Sequence, residues 1–482
     1  MDSNFVGRSP QLDRLAAHLQ WVADGGADQR GRCLILRGRR RVGKSRLVEV
    51  FSQRMAEDGV QSFWFTCTEG ETAPAERAQF IHELASSPLE HAAEVGDDVP
   101  GSWHIAFRRL ADALSDGQPS IVVIDELPWL AAQDRPAEGA LQTVWDRYLS
   151  KKPVLLILIG SDLAVMEHLT SYGRPFHQRG VEMVLNPLTP ADVAAMTALP
   201  AAEALDAYLI TGGLPLVCQS WPRGASRQTF LEQSFADPGS ALIVSGERIV
   251  RSEFPGATRA YDVLRAIGNG GRTFTNIASK VGGDTPLTAG SLNVALRTLL
   301  DKRVIAADEP LSLRPAPKER RYRITDPFLR FWIRFVLPAM PEVERGRGDL
   351  ARRAIDNSWD SWRGRAIEPV IREALRALLP DSRFPTADLI GGWWNRINNP
   401  EVDLVALDQP NNEGQLAFVG SIKWRETAPF DRTDLVALAR DASSVPGFGP
   451  ATPLVAVSRS GSTSRDLATL WGPDDLLAAW TV

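Results

Sequence analysis

The chain carries only three cysteines in 482 residues, Cys33, Cys67 and Cys218. That is too few for a disulfide framework and fits a reducing compartment. All six histidines lie at or before His177 and none joins a Cys/His cluster, which argues against a structural zinc site. Long apolar runs are missing as well. The longest, Val154 to Ile159, is far short of the ~20 residues a membrane-crossing helix needs. Met1-Asp2-Ser3-Asn4 lacks the basic-then-apolar layout of a signal peptide. A soluble, cytoplasmic protein with no membrane partner is expected. Neither charge sign dominates: the net charge of −5 gives no surface-wide field for nucleic acid, so such contact needs a local basic patch. The 44% hydrophobic and 23% charged residues are ordinary globular usage, and the length suggests about three domains.

What the sequence does contain is a phosphate loop. Residues 38–45 read Gly-Arg-Arg-Arg-Val-Gly-Lys-Ser, a full G-x-x-x-x-G-K-[ST] pattern. It follows the apolar run Cys33 to Leu36 and enters the helix-compatible stretch from Arg46 to Phe51. Strand, glycine loop and helix in that order is the context the pattern requires. The glycines let backbone N–H groups of Gly38, Arg39, Arg40, Arg41, Val42 and Gly43 form an anion nest, reinforced by the helix N-terminus. Lys44 would reach the β- and γ-phosphates, and the Ser45 hydroxyl would sit on Mg²⁺, with Arg46 beside it.

Along the chain, residues 1–190 alternate short apolar strands with amphipathic helices, the pattern of an α/β parallel sheet covered on both faces. Strands are expected at 33–37, 60–66, 120–124, 154–159 and 181–185, with helices between them, for example at 76–86 and 104–115. Residues 191–255 read as a helical lid. Residues 256–338 give three short helices and a hairpin, the layout of a winged helix-turn-helix, with the Gly282-Gly283-Asp284 turn before the third helix. A Pro-, Gly- and charge-rich stretch, 339–356, reads as a linker. The last unit, 357–482, opens with a helix at 362–378 and continues into strands at 402–407, 416–424 and 453–457. No repeat or low-complexity tract is seen.

A second half of a nucleotide site is Ile121-Val122-Val123-Ile124-Asp125-Glu126. A buried strand delivers two carboxylates to the carboxyl end of the sheet, where open α/β folds bind ligands. Asp125 would hold Mg²⁺ through water, and Glu126 would orient or deprotonate the attacking water. Ser161, after Ile159-Gly160, either senses the γ-phosphate or caps the following helix, and one hydroxyl can do both. Arg174 and Arg179 flank a loop and are candidates for stabilising transition-state charge. No guanine-reading Asn-Lys-x-Asp occurs, which favours ATP as the nucleotide, with Mg as its metal.

Taken in order, Phe5-Val6-Gly7-Arg8, the loop 38–45, Ile124-Asp125-Glu126-Leu127-Pro128-Trp129-Leu130, Gly160-Ser161, Tyr172-Gly173-Arg174 and Gly212-Gly213-Leu214-Pro215 resemble archaeal-type ATPases. These belong to the STAND branch of P-loop ATPases, related to AAA+ proteins. The resemblance covers about the first half of the chain. It implies that Phe5 to Arg8 border the adenine pocket and that Pro215 lies in a lid element touching the nucleotide. Ser9-Pro10-Gln11 departs from the pattern, which usually carries glutamates after the arginine.

In the expected wing, Arg314, Lys318, Arg320, Arg321 and Arg323 cluster against Glu319 alone, and a basic hairpin can contact DNA phosphates. The third helix, from Ser291 to Arg297, is poor in base-reading side chains. Such modules in STAND proteins often pack on the ATPase as a switch element, so DNA contact and internal packing stay open. The string from Tyr322 to Phe335 places aromatics at helical spacing, which reads as core. It resembles the junction in archaeal-type ATPases that carry a C-terminal nuclease-like domain. That resemblance implies a PD-(D/E)xK-type, restriction-endonuclease-like tail, with Glu368 on the opening helix and Asp403 and Lys423 on successive strands. Such chemistry needs two carboxylates on Mg²⁺ and a lysine beside the attacking water. The second acid should stand two residues before Lys423, on the same strand face. Ser421 occupies that place. Glu368, or Glu401 on the face of Asp403, could supply the missing charge. The expected function is an ATP-hydrolysing switch with a degenerate nuclease-like tail. The alternatives are an ATP-gated DNA nuclease or a DNA-binding regulator. Partners left open are DNA, through wing or tail, and a protein partner or a second copy of the chain.

Overall fold

The computed structural model describes residues 5–25, 30–161, 163–172, 174, 176, 178–254, 258–281, 288–314, 320–397, 399–409 and 414–481. Gly173, the Gly282-Gly283-Asp284 turn, Lys318 and Glu319 lie outside the described residues. The chain divides into two compact units, Met1–Pro187 and Leu188–Val482.

The first unit is built on five strands: β1 (Arg32–Arg37), β2 (Gln61–Thr66), β3 (Ser120–Asp125), β4 (Val154–Gly160) and β5 (Gly180–Val184). They pair in the order β2-β3-β4-β1-β5, every pair parallel. Both β3 and β4 are buried along their whole length, as expected for apolar strands covered on both faces. One face packs an aromatic cluster in which Phe80 meets Phe63 and Trp103 edge-on, with centroids 5.3 Å and 5.6 Å away. The other face packs Leu34, Leu36, Ile121 and Val123 against Leu47, Val48 and Phe51 of the helix Lys44–Glu57. The register sets Arg37 beside Gly160 and Ile124 beside Leu158. The carboxyl ends of β1, β3 and β4 therefore emerge at one edge, where the phosphate loop, Glu126 and Ser161 follow them.

The second unit begins with five helices, Pro190–Thr197, Ala201–Thr211, Pro215–Gln219, Arg227–Ala236 and Ala241–Glu253. Thr189 caps the first with a full capping box to Asp192. Three more follow, Thr258–Gly268, Phe274–Val281 and Ala289–Asp301, and then β6 (Ile305–Asp308) antiparallel to β7 (Arg321–Ile324). The aromatics expected to be core are core: Phe328, Phe331, Trp332 and Phe335 are buried in a helix and π-turn spanning Pro327–Val336.

The expected linker is a correction. Residues 339–356 fall in two helices, Leu337–Glu344 and the 31-residue Gly348–Leu378, so the helix foreseen at 362–378 starts 14 residues earlier. Pro338 closely follows the π-turn Trp332–Val336, and the chain stays helical through it to Glu344. Only a short turn, with Gly346 at φ 74°, separates the helices. The long helix then packs on a mixed sheet ordered β12-β11-β10-β9-β8. Its strands are β8 (Leu389–Trp394), β9 (Glu401–Leu407), β10 (Leu416–Lys423), β11 (Leu454–Ser458) and β12 (Thr469–Trp471). β8 and β12 were not foreseen: one contains Gly391-Gly392 and the other has three residues, so neither shows a strand pattern.

Arg363, 1% exposed, pins this packing by pairing with Asp206 and Glu426, each at 2.9 Å. The indole of Trp424 and the guanidinium of Arg459 also donate to Asp206. Among the described residues no single helix is long and apolar enough to cross a membrane.

Candidate nucleotide site

The loop between β1 and the helix Lys44–Glu57 is made by its sequence. Gly43 at φ 90° and Arg41 at φ 68° turn the backbone into the left-handed region. At Gly38 an added Cβ would overlap the carbonyl oxygen of Leu185. Val42, 1% exposed, anchors the loop in the core. Arg8, itself at φ 71°, buttresses it from behind, donating to the carbonyls of Val42 (3.1 Å) and Asn186 (2.6 Å). The guanidinium of Arg40 lies over the Trp129 ring, 5.4 Å from its centroid. Arg46 pairs with Glu49 at 3.2 Å on the exposed side of the helix.

Lys44 is buried, and its ammonium donates to the carbonyls of Gly38 (2.9 Å) and Arg39 (3.0 Å). Burial lowers its pKa to about 8, against the opposing pull of Glu126 and Asp125. Ser45 donates its hydroxyl to Asp125 Oδ2 at 2.6 Å. Asp125 also accepts the Glu126 backbone N–H at 2.8 Å, yet burial raises its pKa. Glu126 stands at φ 52°, ψ 39°, and its carboxylate accepts the Ser161 hydroxyl at 3.0 and 2.8 Å. Lys44, Ser45, Asp125, Glu126 and Ser161 thus form one connected group at the carboxyl edge of the sheet.

Arg174 does not join it. Its guanidinium bonds Glu138 at 2.7 Å, and both line a cavity of about 510 Å³ that no residue of the loop 38–45 enters. Arg174, expected as a candidate for stabilising transition-state charge, is paired with Glu138 in this structure. Its loop companion Arg179 pairs with Asp146 at 2.7 Å. Pro215 opens a helix of the second unit. Sequence reasoning missed Trp129 and Glu138. Trp129 stood inside a motif already singled out, whereas nothing in the spacing points Glu138 to Arg174.

In the second unit, Asp403 Oδ2 accepts the Ser421 hydroxyl (3.0 Å) and the Ile422 N–H (2.8 Å). Glu368 pairs with Arg372 at 3.1 Å, and Arg372 donates to the Asp403 carbonyl. Burial raises the pKa of both acids, and Asp403 lifts that of Glu368 further. Lys423 lies 3.8 Å from Asp434. Glu401 is taken by Arg321 and, at 3.2 Å, by Arg272. Among the described residues no group of three His, Cys, Asp or Glu side chains is arranged to hold a metal ion.

Residues 4–157 match the family profile of the AAA ATPase domain. Residues 332–435 match one described as archaea bacterial proteins of unknown function. An uncharacterized protein of Methanocaldococcus jannaschii is 24% identical over 404 residues, covering 82% of this chain and 83% of its own. Among solved structures, a Walker-type ATPase of Pyrococcus abyssi aligns with TM-score 0.48 and 19% identity, over 69% of this chain and 97% of that one. The ORC2 protein of Aeropyrum pernix, in ADPNP–ADP complexes, aligns with TM-score 0.45 and 14% identity, over 71% and 97%. The chain therefore carries an AAA ATPase domain on its parallel five-stranded sheet, and it is an ATPase.

Proposed function

We propose that the protein is an ATP-hydrolysing switch of the STAND and AAA+ type, with catalysis at Asp125 and Glu126. One observation carries this: two adjacent carboxylates have separate hydroxyl partners, Ser45 for Asp125 and Ser161 for Glu126. That division suits one acid to charge neutralisation and the other to the nucleophile. Ser45 and Asp125 are hard oxygen donors 2.6 Å apart, which suits Mg²⁺. Held by Ser45 and Asp125, Mg²⁺ would supply charge neutralisation for the bound phosphates. The loop N–H groups and Lys44 hold those phosphates. Glu126 takes the proton of the attacking water as its oxygen bonds to the γ-phosphorus and ADP departs with the electrons of the broken P–O bond. Ser161, released from Glu126, then donates to a γ-phosphate oxygen in this scheme. Arg174, held by Glu138, is given no part in this scheme. Phosphate release should vanish in Lys44→Ala; turnover at the parent rate in that variant would refute the assignment.

In the second unit, three helices followed by an antiparallel pair support a winged helix-turn-helix. Its charge is largely internal: Arg320 pairs with Glu309, Arg321 with Glu401 and Arg323 with Asp308. This favours packing within the unit over DNA contact. The mixed sheet and long helix support a nuclease-like tail, degenerate because Ser421 stands where a second carboxylate is needed. The alternative, an ATP-gated nuclease, draws on the nearness of Asp403, Lys423 and Glu368.

A further inference from the structure

Within the second unit lies a cavity of about 450 Å³, in the size range of small-molecule sites. Its walls come from the end of the helix Thr258–Gly268, from β7, from Pro327–Val336 and from the long helix Gly348–Leu378. They carry an unusual concentration of one side chain. Arg272 and Arg321 meet Glu401, Arg323 meets Asp308, and Arg372 meets Glu368. Three more arginines line the cavity, Arg330, Arg334 and Arg365, and none has a carboxylate within ion-pair distance among the described residues. Arg330 donates to the Arg365 carbonyl at 3.2 Å, and Arg334 only grazes Asn269 at 3.5 Å. Seven guanidiniums thus face three carboxylates, a surplus of four positive charges around one cavity.

Like charges gathered without acids repel one another, and in a partly desolvated cavity that repulsion is poorly screened. Burial and the guanidiniums of Arg323, Arg272 and Arg365 hold Arg330 at about 10, while Glu368 opposes them. It stays protonated at neutral pH, so the surplus is real charge awaiting an anion. The guanidinium fork matches phosphate oxygens two at a time. Asn269, Ser358 and Ser361 add neutral hydrogen-bonding groups to the same walls. The volume takes an anion of mononucleotide size and not a duplex.

We propose that this cavity binds a small polyphosphate of the free-nucleotide class, gripped by Arg330, Arg334 and Arg365. The site is separate from the phosphate loop and does not depend on hydrolysis there. Occupancy would tie the helix Gly348–Leu378 to the β6–β7 pair through the shared anion.

The test is calorimetric titration of the full-length chain carrying Lys44→Ala, in low salt, with inorganic tripolyphosphate. A second arm uses a 5′-phosphorylated ten-nucleotide oligothymidine. Tripolyphosphate should bind at one site, and Arg334→Gln with Arg365→Gln should weaken it at least tenfold while the melting temperature holds. If the double variant melts early, Arg365→Gln alone, at an exposed position, is read by the same criterion. Absence of tripolyphosphate binding, an affinity unmoved by the substitutions, or uptake of the oligonucleotide alone would each overturn the proposal.

Discussion

At Glu126 the backbone sits in the left-handed region, a conformation that costs a non-glycine residue roughly 1–3 kcal/mol and persists where the surroundings impose it. Here the imposing contacts are the 2.8 Å bond from its own N–H to Asp125 and the clasp of Ser161 on its carboxylate. The turn aims the acid across the carboxyl edge of the sheet. Glu126→Gln keeps the shape and loses the proposed base, so ATP affinity should hold within a few-fold while turnover drops about 10²–10⁴-fold. Equilibrium nucleotide binding and steady-state phosphate release, measured on the same preparation, separate those effects; lost binding would remove Glu126 from the catalytic role. Lys44 supplies a pH signature. In the free protein its pKa is about 8, below the ordinary value of 10.5, and bound phosphates favour the protonated form. Above pH 8 binding must take up a proton, so ATP affinity should fall by up to tenfold per pH unit. Below pH 8 it should be flat. Calorimetry in buffers of different ionisation enthalpy reads the proton directly. Most of this group was legible in sequence, because the loop and the strand-end carboxylates are short-range patterns. The partners of Arg8 and Arg174 were not, because those contacts join residues 34 to 178 positions apart.

Elements were read well where one period dominates. β1, β3 and β4 announce themselves as apolar runs, and the helices around them carry an apolar stripe. Proline and glycine alone do not mark a break between domains. Pro338 and Gly346 suggested a linker, yet the helix passes through Pro338 just after the π-turn, and one left-handed glycine ends a helix without ending the fold. β9 and β10 show how much a single position can decide. They run antiparallel, with Gly420 opposite Leu404, and Ser421 reaches Asp403 as a donor where a nuclease-type pair would place a second acid. DNA incubated with Mn²⁺ and ATP should therefore stay intact. Cleavage that disappears in Asp403→Ala would instead establish an active tail.

Across the whole chain, nucleotide chemistry and the arginine-lined cavity belong to different compact units. The second unit has its own buried electrostatic keystone in Arg363. Removing one partner of a buried ion pair costs about 3–5 kcal/mol because the other charge is left unmet. Arg363→Ala should lower the urea midpoint accordingly, while Arg363 lies outside the ATPase domain at 4–157. An unchanged midpoint would show that Arg459 and Trp424 satisfy Asp206 without it. None of this network was visible in the sequence, since Asp206, Arg363 and Arg459 are each unremarkable in their local context.

One consequence of the folded-back Lys44 concerns selectivity against the anions that fill any cell. Its ammonium already has two acceptors, the carbonyls of Gly38 and Arg39, at full hydrogen-bond distance. A newcomer has to outbid them. A lone inorganic phosphate or sulfate, still attractive to water, gains little by the exchange. In the proposed scheme a triphosphate chain engages the N–H nest, the lysine and the Ser45–Asp125 pair at once, and so clears the threshold. On that scheme the loop would filter ligands by valency, passing anions by the number of groups they engage together rather than by charge alone.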